Sequence, residues 1–309
     1  MTRFDHPALL YRDTDEYLAT TVPFIRTAVE AGDSVLVAVP AGNLTLLRGA
    51  LGGVGGCVEF ADMAESGRNP GRILPAVLLP FAEAHRDRHV SIIGEPVWPG
   101  RTPSERTACT QHEALINTAF EGRDASVLCP YDTARLDRAV VADAWRTHPT
   151  MIDEGSRIAS GEYDDPLLTA EAVNLPLPPP AGDAVSLRYS GLADLAVVRR
   201  FIRRRAAAVL PAERVDELVL AVHELVTNTI RHAGGPGLVT IWVEAGVLAC
   251  QVEDRGHIAD PLAGRRLPPP LSPCGRGLLL VNQLCDLVRM RSGPGGTCVR
   301  VHMWVAADR

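Results

Sequence analysis

The stretch HELVTNTIRHA, from His223 to Ala233, has the pattern of an amphipathic helix that also carries polar side chains at a regular interval. Glu224, Asn228 and His232 recur every four residues, so a helix would place all three on one face. The stretch therefore allows two interpretations, a solvated helix surface or one wall of a binding site. From this segment alone the solvated surface is favoured. The choice between the two interpretations depends on motifs elsewhere in the sequence.

The composition is that of a globular protein with two domains. The chain has 309 residues, of which 46% are hydrophobic and 22% charged. A net charge of -6 argues against a general nucleic-acid-binding protein. All 31 basic residues are arginine. A P-loop lysine, a Schiff-base lysine and a lysine general base are therefore excluded.

The cysteines and the N-terminal segment bear on the cellular compartment of the protein. The cysteines are scattered and never form a CxxC pair, which favours reduced thiols over disulfides or a zinc site. They are Cys57, Cys109, Cys129, Cys250, Cys274, Cys285 and Cys298. The N-terminal segment lacks the pattern of a signal peptide, and no apolar run reaches the roughly 18 to 20 residues that cross a bilayer. We expect a cytoplasmic protein without a membrane anchor.

The first half of the chain alternates apolar strands with amphipathic helices. SVLVAVP (Ser34–Pro40), HVSIIGEP (His89–Pro96) and ASVLCPYD (Ala125–Asp132) predict strands of a parallel sheet covered on both faces. We predict an α/β domain over residues 1–155. The proline-rich segment 156–183 is predicted to be a linker.

The second half, residues 184–309, predicts a two-layer α+β sandwich. Its predicted elements are a strand (Ala184–Ser190), a helix (Leu192–Ala208), a helix from Pro211 to the glycines at 234 and 235, two strands (Leu238–Ala245 and Val247–Asp254), a helix (Gly277–Leu284) and two final strands. The two central strands join at Gly246 with almost no loop, which requires an antiparallel pair.

Two further motifs follow the helix in the second half. In EDRGH, Asp254 ends a strand and Gly256 would let a planar ring approach the backbone. In CGRGLLLVNQL, Gly275 and Gly277 lead into a helix whose free N–H groups could bind phosphates, with Arg276 as a charged donor. Each motif alone is weak evidence for a binding site, and the occurrence of all three together is what predicts one.

The three motifs, in this order, resemble the ATP site of the GHKL superfamily, the Bergerat-fold kinases and ATPases. Residues Ala184 to Val305 are most similar to the anti-sigma-factor serine kinases of the RsbW type. The resemblance implies ATP and Mg²⁺ as cofactors. It makes Asn228 the Mg²⁺ ligand, Glu224 the base, Asp254 and Gly256 the adenine site, Gly275, Arg276 and Gly277 the phosphate site, and Thr297 a support of the adenine pocket.

Two parts of the second half depart from that pattern. GRGLLL lacks the third glycine of the phosphate motif, and the segment His257–Cys274, where a lid over ATP is expected, is proline-rich. Arg265 and Arg266 in that segment could contact phosphates or could be solvated. His232 is expected to end the helix rather than to contact the nucleotide.

The first half resembles the MEDS sensory domain, which implies a RecA-like fold over about Phe4 to Pro149. The resemblance rests on GEPVWPGR (from Gly94), QHEALIN (from Gln111) and CPYD (from Cys129). We predict a sensory or partner-binding pocket at the carboxyl ends of the strands, near Glu95, Trp98 and Tyr131. His112 and Glu113 are adjacent on a helix and point in different directions, so that pair alone is not expected to bind a metal.

Together the two resemblances imply an anti-sigma regulatory factor gated by a sensory domain. Such a protein binds ATP and Mg²⁺, sequesters a sigma factor and phosphorylates a serine on a STAS-domain anti-anti-sigma partner. A homodimer is expected by analogy alone, and no direct contact with nucleic acid. One alternative is a non-catalytic sigma-factor-binding switch with a degenerate ATP site.

A sensor histidine kinase ranks below both of these readings. Such a kinase needs a helical hairpin with a phosphoacceptor histidine before its ATP domain. Here a proline-rich segment precedes Ala184, and no histidine lies between His148 and His223.

Overall fold

The chain forms two compact units, Met1–Val173 and Asn174–Arg309. The computed structural model describes residues 4–268 and 275–305. Cys274 and the end of the predicted lid therefore lie outside the described residues. Within the described ranges, no helix combines the length and the apolar character that crossing a membrane requires.

The first unit is built on an eight-stranded, mainly parallel sheet. Its strands are β1 (Phe4–Asp5), β2 (Pro7–Tyr11), β3 (Ser34–Val39), β4 (Val58–Asp62), β5 (Val90–Gly94), β6 (Ala125–Asp132), β7 (Thr150–Asp153) and β8 (Ser156–Ala159). The spatial order is β4-β3-β5-β6-β2-β7-β8, and β1 pairs with β6 beside β2. The strands that the sequence predicts, β3, β5 and β6, lie together near the middle of this sheet.

Helices cover this sheet. They are α1 (Thr14–Ala31), α2 (Ala41–Leu51), α3 (Met63–Ser66), α4 (Pro70–Ile73), α5 (Leu79–Ala84), α6 (Pro103–Ala119), α7 (Arg138–Thr147) and α8 (Pro166–Ala172). Leu128 of β6 packs in the core formed with α1 and α2. The next residue, Cys129, points to the opposite face, where it contacts Glu113 of α6. The predicted parallel α/β architecture is confirmed.

Two elements of the first unit lie inside the segment that the sequence predicts to be a linker. Strand β8 pairs antiparallel with β7 through a tight turn at Glu154 and Gly155, both with positive φ. Helix α8 begins at Pro166 after the capping side chain of Asp165 and packs against α6. Short elements of this kind take their stability from packing, which local sequence patterns do not reveal.

The second unit is a two-layer sandwich of three helices on a five-stranded antiparallel sheet. Its elements are β9 (Val185–Tyr189), α9 (Leu195–Ala206), α10 (Ala212–Asn228), β10 (Gly237–Glu244), β11 (Val247–Asp254), α11 (Gly277–Leu284), β12 (Leu287–Gly293) and β13 (Gly296–Trp304). The sheet order is β12-β13-β11-β10-β9. The predicted sandwich is confirmed, and α11 and β11 have the predicted bounds.

The stretch that decides this fold changes its helical type along its length. Helix α10 carries apolar side chains that pack on the sheet, among them Leu218, Val222 and Leu225. After Asn228 the chain continues as a π-helical turn, Thr229–Ala233, and ends at Gly234 in the left-handed conformation. Helical turns of this wider kind are frequent at functional sites.

Candidate functional site

A cavity of about 480 Å³ lies in the second unit between the end of α10, the end of β11 and the start of α11. Six of the eight predicted site residues in this unit line it, namely Asn228, Asp254, Gly256, Gly275, Gly277 and Thr297. Leu225, Val252 and Val299 form an apolar part of its wall. The three sequence motifs therefore meet at one cavity, although they lie far apart along the chain.

On one side of the cavity, the start of α11 lies against two side chains of α10. A Cβ atom added to Gly277 would lie 2.9 Å from Oε2 of Glu224 and 3.1 Å from Nδ2 of Asn228. Glycine permits this close approach, and a larger residue would displace the end of the Glu224 side chain. A carboxylate and an amide thus stand beside the free N–H groups of a helix start, a suitable arrangement for a phosphate group and a divalent cation.

The other end of the cavity is formed by Asp254, whose carboxylate is held in a fixed orientation. The backbone N–H of Gly256 donates to Oδ1 at 2.7 Å, and the hydroxyl of Thr229 donates to Oδ2 at 2.6 Å. A Cβ atom on Gly256 would lie 2.8 Å from the Cβ of Ala233. The glycine therefore lets the Asp254 turn pack directly on the end of the α10 segment. The sequence did not identify Thr229, and its position one residue after Asn228 was the available signal.

Thr297 supports the same turn through a chain of hydroxyl groups. Its hydroxyl donates to the carbonyl oxygen of Gly256 at 2.9 Å, and Oγ of Ser292 lies 2.7 Å from it. The N–H of Ile258 donates to Ser292 at 2.8 Å. These bonds connect β12 and β13 to the Asp254 turn, so Thr297 lies beside the cavity as the sequence predicts.

Gly296 offers a test of how closely this turn is packed. Its φ is +114°, and an added Cβ would lie 2.2 Å from the backbone oxygen of Asp254. We expect Gly296→Ala to lower the free energy of unfolding by about 2–5 kcal/mol, because it adds backbone strain to an overpacked contact. Urea unfolding followed by circular dichroism measures the effect.

The neighbouring glycine provides the matched control. A Cβ on Gly295 would meet only the end of the Arg291 side chain, at 3.6 Å. We expect Gly295→Ala to leave stability within about 0.5 kcal/mol of wild type. Equal unfolding midpoints for the two variants would contradict the packing described for Gly296.

The described part of the predicted lid is anchored to α11. Nδ2 of Asn282 donates to the carbonyl oxygen of Gly264 at 2.9 Å, and Gly264 itself has a φ of +72° and lies against Leu278. Arg265 is buried, whereas Arg266 is exposed, lines the cavity and forms an ion pair with Asp260 at 3.0 Å. Of the two arginines, Arg266 is thus the one that lines the cavity and could contact a bound phosphate.

Three polar residues of this region have distinct positions. Arg276 is exposed and precedes α11 as its N-cap. Glu224 is half-buried on α10 and reaches the Gly277 backbone. His232 lines the cavity from the π-helical turn although its side chain is exposed. The sequence predicts a helix-end residue at His232, and in the structure this residue also lines the cavity.

The residues of the predicted sensory pocket in the first unit have separate partners. Glu95 is 2% exposed, accepts from the Tyr11 hydroxyl at 3.2 Å and accepts from Nδ2 of Asn43 at 2.8 Å. The Trp98 ring stacks on the Arg101 guanidinium at 3.5 Å. Tyr131 is buried and lies edge-on to His148. The sensory pocket stays a prediction.

Glu95 makes the stability of the first unit depend on pH. Burial raises its pKa from 4.5 to about 8. The folded state therefore retains a proton that the unfolded state releases, and this stabilisation is complete below pH 4.5 and is lost as the pH rises through about 8. We expect the stability of wild type relative to Glu95→Gln, which is neutral at every pH, to fall across that interval.

Urea unfolding midpoints measured at several pH values test this expectation. Glu30 lies exposed on α1, so Glu30→Gln is the control whose difference from wild type should not change with pH. A pH-independent difference between wild type and Glu95→Gln would show that Glu95 ionises at its ordinary pKa.

Comparison with known families agrees with both units. Residues 5–149 match the family model described as MEDS, the MEthanogen/methylotroph, DcmR Sensory domain. Residues 190–303 match the histidine kinase-like ATPase domain. The chain joins a MEDS domain to a histidine kinase-like ATPase domain. The cavity at Asn228, Asp254 and Gly277 is thus the candidate nucleotide site of the ATPase domain.

The chain was also compared with solved structures and with curated proteins. The chain is similar to the crystal structure of the RsbU and RsbW domains of Rv1364c from Mycobacterium tuberculosis, at 19% identity and a TM-score of 0.30. The match covers 40% of this chain and 33% of the other, so the chain spans about a third of that protein. No curated protein matches the MEDS–ATPase chain with significant similarity.

Proposed function

We propose that the ATPase domain binds ATP with Mg²⁺ and transfers the γ-phosphoryl group to a serine on a STAS-domain partner. In the same proposal the ATPase domain also sequesters a sigma factor, and the MEDS domain controls these activities in response to a signal. One observation carries the catalytic part. The Gly277 backbone lies close to the side chains of both Glu224 and Asn228, which supports a site where the proposed base, the proposed cation ligand and the phosphate motif act together.

The cavity suits a nucleotide. Its volume of about 480 Å³ lies in the usual range of small-molecule sites, and both apolar and polar residues line it. Asp254 would bind the adenine amine, and Asn228 would hold Mg²⁺ through its amide oxygen. Gly275, Gly277 and the first N–H groups of α11 would hold phosphate oxygens.

Glu224 is the proposed general base for a hydroxyl substrate. Its carboxylate is half-buried beside the start of α11, so it could accept the proton of an incoming serine hydroxyl. ATP supplies the phosphoryl group, and Mg²⁺ offsets the negative charge on its oxygens. The protein's own part is then to position the serine oxygen and remove its proton.

Transfer to a separate protein is favoured over transfer to a histidine of this chain. His6 and His148 are 0% exposed, and no histidine lies between His148 and His223, the segment in which a phosphoacceptor hairpin would precede the ATPase domain. Helix α9 also presents a basic face, where Arg199, Arg200 and Arg203 line a shallow depression of about 310 Å³. A basic face of this kind suits an acidic surface on a protein partner.

Labelled phosphate distinguishes the kinase from other functions. The full chain is incubated with γ-labelled ATP, Mg²⁺ and STAS-domain proteins from the source genome. The proposal expects label on a partner serine that is stable to acid. Label on the chain itself that survives base and is lost in acid would indicate a histidine kinase instead.

A non-catalytic switch is the second candidate, and a specific position favours it. Leu279, which is buried, occupies the place of the third glycine in the GRGLLL motif. The backbone there carries a Cβ atom where the motif has none. ATP binding in calorimetry without transfer to any partner would support the switch, and no binding of ATP–Mg²⁺ at millimolar concentration would exclude the kinase.

A further inference from the structure

Four side chains from four separate segments meet inside the first unit. They are His6 between β1 and β2, Glu113 on α6, Cys129 in the middle of β6, and His148 between α7 and β7. Each is 0% or 1% exposed. One potential ligand atom from each side chain lies within 4.8 Å of all the others. This set of residues is called the buried cluster below.

The distances within the buried cluster suit a single four-coordinate ion. Oε2 of Glu113 lies 3.3 Å from Nε2 of His6, 3.4 Å from Nε2 of His148 and 3.3 Å from Sγ of Cys129. Sγ of Cys129 lies 3.4 Å from Nε2 of His6. A tetrahedron with zinc–ligand bonds of about 2.0–2.3 Å has edges of about 3.3–3.8 Å.

Hydrogen bonds outside the cluster orient both histidines toward its centre. Nδ1 of His6 lies 3.1 Å from Oδ1 of Asn117, and the Asn117 amide nitrogen donates to the carbonyl oxygen of Thr147 at 2.9 Å. Nδ1 of His148 lies 3.0 Å from the carbonyl oxygen of Ala144. Both Nδ1 atoms therefore carry protons, which leaves the lone pair of each Nε2 facing the cluster. Metal-binding histidines are typically fixed in this way.

The buried cluster points its ligand atoms toward one another. Nε2 of His6 and Nε2 of His148 both face Oε2 of Glu113, and the two imidazole rings lie with their centroids 4.1 Å apart. A divalent cation with the Glu113 carboxylate and a Cys129 thiolate sums to zero charge.

We propose that the first unit binds one zinc ion through His6, Glu113, Cys129 and His148. Imidazole, thiolate and carboxylate are the ligands that zinc takes in proteins, and four protein ligands without solvent are typical of a structural site. On binding, the Cys129 thiol loses its proton to solvent as the sulfur–zinc bond forms. The ion then ties the first strands to α6, β6 and the segment that enters β7.

The test uses the full chain purified under reducing conditions. We expect about one zinc per chain by elemental analysis after gel filtration. After exchange with cobalt, we expect the visible bands of a tetrahedral site and one near-ultraviolet band from a single cobalt–thiolate bond. Loss of zinc should also lower the thermal unfolding temperature of the wild-type chain.

Two cysteine variants make the test specific. Cys129→Ala should abolish the cobalt–thiolate band, and Cys129→Ser should abolish it while keeping an oxygen in place of the sulfur. Cys109, a second buried cysteine of the same unit, donates to the carbonyl oxygen of Pro96 instead, so Cys109→Ala should keep the band. The wild-type stoichiometry and spectrum decide the proposal even where a variant does not fold.

Three results would overturn the zinc site. One is a folded wild-type chain that takes up neither zinc nor cobalt. Another is a cobalt–thiolate band that persists in Cys129→Ala. The third is a band that disappears in Cys109→Ala, which would assign the metal to a different cysteine. Phosphotransfer is not part of these readouts, so the outcome is independent of the proposed kinase function.

Discussion

Replacing Glu224 by glutamine is expected to lower phosphoryl transfer to the partner serine by about 100-fold or more, which is the usual contribution of a general base. Glutamine has almost the shape of glutamate, so the contact with the Gly277 backbone is retained while the proton acceptor is lost. ATP affinity should change little. Single-turnover transfer from γ-labelled ATP measures the rate, and calorimetry measures nucleotide binding in the same preparation.

A glutamate on the same helix provides the control for this prediction. Glu213 lies exposed in the first turn of α10, remote from the cavity, so Glu213→Gln should transfer phosphate at the wild-type rate. Transfer that is unchanged in Glu224→Gln would remove Glu224 as the base. Loss of both transfer and ATP binding in Glu224→Gln would assign the residue to nucleotide binding instead.

Replacing Asp254 by asparagine is expected to weaken ATP binding by about 10- to 100-fold, since hydrogen bonds to charged groups contribute about 1.5–3 kcal/mol. Both carboxylate oxygens accept hydrogen bonds, from the Gly256 N–H and from the Thr229 hydroxyl. An amide presents one N–H₂ group in place of an acceptor. That group either meets the Gly256 N–H or replaces the acceptor offered to the adenine amine.

The base specificity of Asp254→Asn separates recognition from a loss of structure. Guanine carries a carbonyl where adenine carries its amine, so the variant should lose its preference for ATP over GTP. Titration calorimetry with both nucleotides provides the comparison. Glu253 is the neighbouring carboxylate and alternates to the other face of β11, so Glu253→Gln should bind as wild type does. Unchanged ATP affinity and preference in Asp254→Asn would place the adenine elsewhere.

The second unit could be predicted from sequence almost element by element, because its signals are local. Strand β11 and helix α11 have the predicted bounds, and the π-helical turn that follows α10 ends at Gly234, where the sequence predicts a glycine stop. Antiparallel strands joined by tight turns pair with near neighbours in the chain. The motifs at Asn228, Asp254 and Gly277 lie on such neighbouring elements and line one cavity.

The first unit was predicted less completely, because parallel strands pair over long distances. Strand β2 (Pro7–Tyr11) lies in the interior of the sheet, between β6 and β7. Its five residues begin with a proline, and this short segment does not have the sequence pattern of a central strand. Strand β4 is short and only partly buried. A strand of this length carries too little periodicity to be recognised alone.

The sequence does not predict the buried cluster. Glu113 and its neighbour His112 point in different directions on one helix, so that pair alone predicts no metal site. Its actual neighbours include Cys129 on β6 and His6, which are 123 residues apart in the chain. No spacing motif links such positions, because the parallel register and the packing of α6 bring them together.

The sequence by itself determined the classes of both folds and the two family resemblances, and it predicted six of the residues that line the candidate nucleotide cavity. Those features follow from hydrophobic period, from turn residues and from motifs on adjacent elements, all of which act over short stretches of chain. Only the tertiary structure decided that Gly277 contacts Glu224 and Asn228, that Thr229 and Gly256 hold Asp254, and that four buried side chains converge in the first unit. These contacts depend on the distances between elements, and packing fixes those distances.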